Sequence, residues 1–139
     1  MPIVIDTNVW VSGMLWQGAP WELLRLAEAG HLTLCAAPAM LAELSDVLSH
    51  ERLRPRLDQI GVTAAELIGY VMTMVSLFEV PEGDAIVLAD PDDDVFLRCA
   101  LAAEASFVVS GDRHLLELGA YADMPIVTIR DFLTREFPT

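Results

Sequence analysis

The chain opens with an unbroken β-branched run, Ile3-Val4-Ile5, that stops abruptly at Asp6-Thr7-Asn8. Three adjacent β-branched residues predict a strand buried on both faces. A loop or short helix with Gly13 and Gly18 follows. Pro20 then opens a helix over 21–29 that Gly30 ends, in the proline-first, glycine-after order of helices. The stretch 32–36 reads as a second strand. Pro38 starts a helix to about 49, with Met40, Leu41, Leu44, Val47 and Leu48 at helical spacing. The charged stretch 51–58 predicts a short exposed helix. Thr63 with Glu66 predicts a capping box heading a helix that runs through 74. A third strand is expected over 76–80 and a loop over 81–88. Asp90-Pro91 then supplies an N-cap and a first-turn proline for a helix to about 104. The fourth strand, 107–110, ends in Gly111-Asp112. A short helix over 114–118, a fifth strand at 126–127 and a last helix capped by Thr128 complete the pattern.

Strands alternating with helices predict an α/β fold with a mostly parallel sheet. Two helices separate the second and third strands, so a helical hairpin is expected there. The 139 residues show no repeat and no linker-like change of composition, which predicts one domain over 1–139. At 54% hydrophobic the chain can bury a sizeable core. No apolar run reaches the roughly 18 residues of a membrane span. Asp6 interrupts the apolar start, unlike the layout of a signal peptide. Cys35 and Cys99 lie in apolar stretches and read as small buried hydrophobes of a cytoplasmic protein.

The net charge of −13 works against unassisted contact with nucleic acid, because such affinity rests on cations meeting phosphates. There is no lysine at all. Arg52, Arg54 and Arg56 form the one basic cluster, and it reads as a solvated face rather than a phosphate track. The histidines, His31, His50 and His114, form no cluster, and no Cys/His spacing suits zinc. A function on phosphodiesters therefore calls for bound cations that offset some of the acids, or for a basic partner.

The acids supply a candidate set. Asp6 leaves the first strand where open parallel sheets place their chemistry, although turn or cap duty explains it equally. Glu43 sits at the border of its helix's apolar stripe, where a half-exposed glutamate is ordinary. In Asp92-Asp93-Asp94, Asp93 shares a face with Phe96, Leu97 and Ala100 and is expected against the body of the protein. Asp94 is expected to point away, and Asp93 could also be the third-position partner of the cap. Asp112 follows the fourth strand, where Gly111 allows close approach or a special turn, and it too could be a plain helix cap. In a parallel sheet all strand exits share one edge, so Asp6, Asp93 and Asp112 are expected to converge there, with Glu43 reaching in from its helix. Clustered carboxylates repel one another unless cations compensate. Mg²⁺ or Mn²⁺ is the expected compensation, and phosphodiester hydrolysis the chemistry that such a site suits.

With these residues in order, the chain resembles the PIN-domain proteins, the group containing VapC-like toxins of toxin–antitoxin pairs. The motifs are Ile3-Val4-Ile5-Asp6-Thr7-Asn8, Glu43, Asp90-Pro91-Asp92-Asp93-Asp94-Val95-Phe96-Leu97 and Val108-Val109-Ser110-Gly111-Asp112. The resemblance implies a three-layer α/β/α sandwich around a five-stranded parallel sheet. It also implies a Mg²⁺- or Mn²⁺-dependent endoribonuclease that acts on RNA, often as a homodimer, and pairs with an antitoxin protein. On this resemblance Asp6 and Asp93 are the core metal ligands, Glu43 and Asp112 assist, and Thr7, Asn8 and Ser110 are supporting residues. Asp94 stands where the related subgroup often has Asn, and Ser110 where Thr is common. An alternative is a catalytically silent PIN fold that serves binding or dimerisation. A haloacid-dehalogenase-type phosphatase is disfavoured, since Asn8 stands where its second acid belongs and no lysine is present.

Overall fold

The structure, a computed structural model, describes residues 1–80 and 91–138, with side chains over 1–80 and 94–138. The loop expected over 81–88, the Asp90 cap and the side chain of Asp93 lie outside the described residues. Among the described residues the α-helices are α1 (Thr7–Leu15), α2 (Ala19–Glu28), α3 (Pro38–Leu48), α4 (Arg54–Ile60, preceded by a 3-10 turn over Glu51–Leu53), α5 (Ala64–Met74), α6 (Pro91–Ala102), α7 (Arg113–Leu118) and α8 (Ile129–Glu136). The strands are β1 (Pro2–Ile5), β2 (Thr33–Ala36), β3 (Val75–Leu77), β4 (Phe107–Val109), β5 (Ala120–Tyr121) and β6 (Met124–Val127).

They form one sheet in the order β3-β2-β1-β4-β6-β5. The five expected parallel strands correspond to β1, β2, β3, β4 and β6, all paired in parallel. The sheet has one strand more than expected, since β5 adds an antiparallel edge strand to β6. The turn between them places Ala122 at φ 47° and Asp123 at φ 67°. Two positive-φ residues let a two-residue hairpin follow the twist of its strands. The third strand starts directly at the end of α5, a residue earlier than expected.

Alternation along the strands divides the core. Ile3, Ile5, Leu34, Val109 and Val127 face α1, α2, α5 and α8, burying Trp10, Leu15, Leu23, Leu24, Val71 and Phe132 with them. Val4, Cys35, Val108 and Ile126 face the other way, onto Phe96, Leu97, Cys99 and Ala100 of α6 and Leu115 of α7. The result is a helix–sheet–helix sandwich in which β1 is covered on both faces. Helix α3 contributes to both sides, with Met40 in one cluster and Leu44 and Leu48 in the other. The Thr63–Glu66 capping box is formed in both directions. Helix α5 is tied to α2 by Tyr70, whose Oη donates to Glu28 Oε1 and accepts from Arg25 Nη2.

Gly13 marks a close contact between α1 and α2. A Cβ there would sit 2.8 Å from the Pro20 carbonyl oxygen and 2.7 Å from Leu24 Cδ1. The carbonyl belongs to backbone and cannot swing aside. Gly13→Ala is therefore expected to destabilise the fold by about 1–3 kcal/mol despite alanine's better helix propensity, as read by urea denaturation. A neutral or stabilising result would show that α1 and α2 can move apart.

Cys35 and Cys99 are free and buried, at 2% and 0% exposure. Burial pushes the Cys99 thiol up to about 12, with Cys35 adding to the shift, and burial also raises Cys35. Native protein at pH 8 should give no titre with a thiol-specific disulfide reagent, and both thiols should react once the chain is unfolded. Prompt reaction of either thiol in the native state would contradict this packing. Among the described residues no helix is long and apolar enough to cross a membrane.

Candidate functional site

The strand order builds a crevice before any side chain is considered. From β1 the chain steps outward through β2 to β3, then returns to place β4 on the other side of β1. Ligands of open parallel sheets lie outside the strand ends at such a reversal. The residues leaving β1 and β4 here are Asp6 and Ser110. Parallel register pairs Ile5 with Val109 and sets Asp6 and Ser110 side by side, and the Asp6 amide donates to the Val109 carbonyl.

Asp6 is 5% exposed. Its Oδ1 accepts from the Val9 amide at 2.9 Å, which caps α1. Its Oδ2 accepts from Ser110 Oγ at 2.5 Å and from the Gly111 amide at 3.0 Å. A carboxylate offers about four acceptor positions. Among the described residues three are filled by neutral donors, two on Oδ2 and one on Oδ1. The cap role and a site role therefore coexist on the two oxygens of one side chain.

Ser110 is 1% exposed and its hydroxyl is used in both directions. It gives its proton to Asp6 and accepts from the Asp112 amide at 2.9 Å. Asp112 is half-buried and caps α7, with Oδ1 accepting from the His114 amide at 2.8 Å and the Leu115 amide at 3.1 Å. Gly111 contributes its amide rather than its conformational freedom. It has no left-handed φ, and a Cβ there would meet nothing within 4 Å, so neither reason expected for a glycine applies.

Helix α3 brings Glu43 in. Thr7 Oγ1 donates to Glu43 Oε2 at 3.1 Å, which ties α3 to the residue after Asp6. Thr7 is buried, whereas Asn8 is exposed and its side chain makes no hydrogen bond among the described residues. Asp93 lies in the first turn of α6 by its backbone. Asp94 departs from expectation. It is 7% exposed, not turned to solvent. A single apolar stripe assumes one covering layer, but α6 packs against β1, β2 and β4 and also against α3, so a residue beside the stripe is covered too.

The structure thus joins Asp6, Ser110 and Asp112 in one network and Thr7 and Glu43 in another, linked through the Asp6–Thr7 backbone. Among the described residues no three His, Cys, Asp or Glu side chains converge as ligands of one metal ion. Asp6, Glu43 and Asp112 are oxygen donors of the kind that hard divalent cations take, and Mg²⁺ keeps several waters beside one or two carboxylates. His114 is an exposed helix-start residue, and His50 Nδ1 accepts from the Arg52 amide. Arg56 is held by the Leu15 carbonyl and Gln59 and lies over the Trp16 ring, so it is committed to packing.

Comparison with known proteins gives the same frame. No curated protein sequence matches the chain. Among solved structures it is similar to the crystal structure of VapBC2 from Rickettsia felis bound to a DNA fragment from their promoter. The TM-score is 0.60 at 14% identity, over 91% of this chain and 97% of that one. At that identity the likeness shows the fold. The PIN domain family model matches residues 2–114. That match runs from β1 through the Ser110–Asp112 exit of β4, the same span that builds the carboxylate crevice, and it places the chain in the PIN domain family.

Proposed function

We propose that the chain is a metal-dependent endoribonuclease, the toxin of a toxin–antitoxin pair, with its site at the exits of β1 and β4. PIN domains are generally nucleases that use divalent metal ions. The observation that carries the reading for this chain is the Asp6 carboxylate, buried at the sheet's reversal point and oriented by three donors. Asp6 and Asp93 would hold Mg²⁺ or Mn²⁺, with Glu43 and Asp112 assisting directly or through water. Such an ion, when bound, supplies a water of lowered pKa and positive charge opposite the leaving oxygen. The protein's own part is orientation. Ser110 and the Gly111 amide hold Oδ2 of Asp6, the Val9 amide holds Oδ1, and burial keeps competing water from the carboxylate. No histidine or lysine is required, in keeping with exposed histidines and a lysine-free chain.

The partner follows from charge. A net charge of −13 suits an antitoxin whose basic segment covers the acidic crevice. The likeness to a VapBC structure supports that pairing. We also propose a homodimer of one PIN domain per chain, acting in the cytoplasm. The deciding experiment is cleavage of a mixed RNA substrate with Mg²⁺ or Mn²⁺ by wild type, Asp6→Asn and Asp93→Asn. Cleavage by wild type alone is expected, and equal cleavage by all three would overturn the site.

A second reading is a catalytically silent PIN fold used for binding or dimerisation. Titration with millimolar Mn²⁺ separates the two. A nuclease site gives a rise in thermal midpoint with metal concentration, and a silent fold gives none.

A further inference from the structure

Thr7 stands one residue after Asp6, yet its hydroxyl does not serve Asp6. It donates its single proton to Glu43 Oε2, 36 residues away in sequence. A threonine inside a helix commonly turns its hydroxyl back to the carbonyl three or four residues earlier. Thr7 is the first residue of α1, so those positions are Ile3 and Val4, inside β1 and its sheet ladders. The hydroxyl is thereby released for a tertiary acceptor. Its direction is set twice, by the stiff χ1 of a β-branched residue and by burial at 8% exposure. Glu43 is a long side chain on a half-exposed helix border, and the Thr7 hydroxyl is one of the groups that hold it.

We propose that Thr7 is a positioning residue for Glu43: its hydroxyl fixes the Glu43 carboxylate beside the Asp6 junction, and this orientation sets the affinity of the site for a divalent cation. The inference rests on the metal-dependent reading given above. Thr7 acts through Glu43. Ordering the carboxylate in advance removes a cost that cation binding would otherwise bear. Partners of metal-ligand residues are commonly worth 10–100-fold in metal affinity or activity, which sets the expected size.

The test uses the full chain and Mn²⁺ alone, read by the rise in thermal midpoint with metal concentration, followed by the Mn²⁺ dependence of RNA cleavage. Thr7→Val keeps the shape and removes the hydroxyl, and should raise the Mn²⁺ concentration for half-maximal response by about tenfold or more. Cleavage at saturating Mn²⁺ should recover most of the loss. Thr7→Ser keeps the hydroxyl and should restore the wild-type metal response. Thr7→Ala, a better helix former, repeats the measurement if valine impairs folding. In a Glu43→Gln background Thr7→Val should add nothing, because the two act as one unit. An unchanged Mn²⁺ response in Thr7→Val and Thr7→Ala, or an effect of the same size in the Glu43→Gln background, would overturn the assignment while leaving the nuclease reading intact. Wild type without any Mn²⁺ response would overturn both.

Discussion

Asp6→Asn is expected to lower RNA cleavage by more than about 100-fold and to cost about 1–3 kcal/mol of folding stability as well. The two losses have one origin. Asp6 accepts on both oxygens, from the Val9 amide on Oδ1 and from Ser110 Oγ and the Gly111 amide on Oδ2. Asparagine has a single acceptor oxygen. Whichever way its amide is turned, an NH₂ group faces a backbone N–H that has lost its partner, at a side chain that is 5% exposed. With oxygen towards Ser110 and Gly111 the α1 cap is lost, and with oxygen towards Val9 the Gly111 amide loses its acceptor. The activity loss exceeds the usual effect of an outer partner because the negative charge itself is removed from the proposed metal ligand. Chemical denaturation and cleavage assays on the same preparation separate the terms. A stable variant with full cleavage would remove Asp6 from the site. A destabilised variant that cleaves normally at low temperature would leave Asp6 a structural role only.

The second large effect is expected away from the crevice. Phe132→Ala should cost about 3–5 kcal/mol and lower the thermal midpoint by roughly 10 °C or more. Phe132 is 0% exposed and packs edge-on to Phe107 of β4, with ring centroids 5.2 Å apart, and against Phe137 at 6.0 Å. Helix α8, which carries it, packs on α2 and lies beyond the residues matched by the family model. The prediction therefore asks whether this last helix is part of the cooperative unit. A loss below about 1 kcal/mol would make α8 a peripheral attachment. A loss of the expected size places it in the same core as Ile3 and Ile5, the strand that delivers Asp6.

Local chemistry made most of the fold legible. Pro38, the Thr63–Glu66 pair and Thr128 announce their helices because a cap is a short-range event, settled within one turn. The strands of the sheet centre are readable because burial on two faces demands continuous apolar runs. The β5–β6 hairpin was not readable, since its turn residues are Ala122 and Asp123, and the usual Asn-Gly or Asp-Gly signal is missing. Asp94 departs from the periodicity because periodicity assigns one covered face, and α6 packs against both the sheet and α3. Asp6 and Asp112 could be singled out as acids at strand exits, but their partners could not. Ser110 becomes the bridge between them only once β1 and β4 are adjacent in register, and Thr7 finds Glu43 only once α3 packs on α1. Sequence shows which groups are available, while the acceptor of each hydroxyl is a tertiary fact.

The bond between Ser110 and Asp6 also carries a timetable. It joins residues 104 positions apart, and β1 lies between β2, made early, and β4, made late. At about 5–20 residues per second, roughly 5–20 s of synthesis separates Asp6 from Asp112. Through that interval Oδ2 of Asp6 lacks both its donors, and Ile3-Val4-Ile5 lacks one of its two neighbours in the sheet. A ribosome-bound fragment ending before β4 therefore has the acids of the N-terminal half without the geometry that orients them. The crevice comes into being only once β4 has been made and has paired with β1.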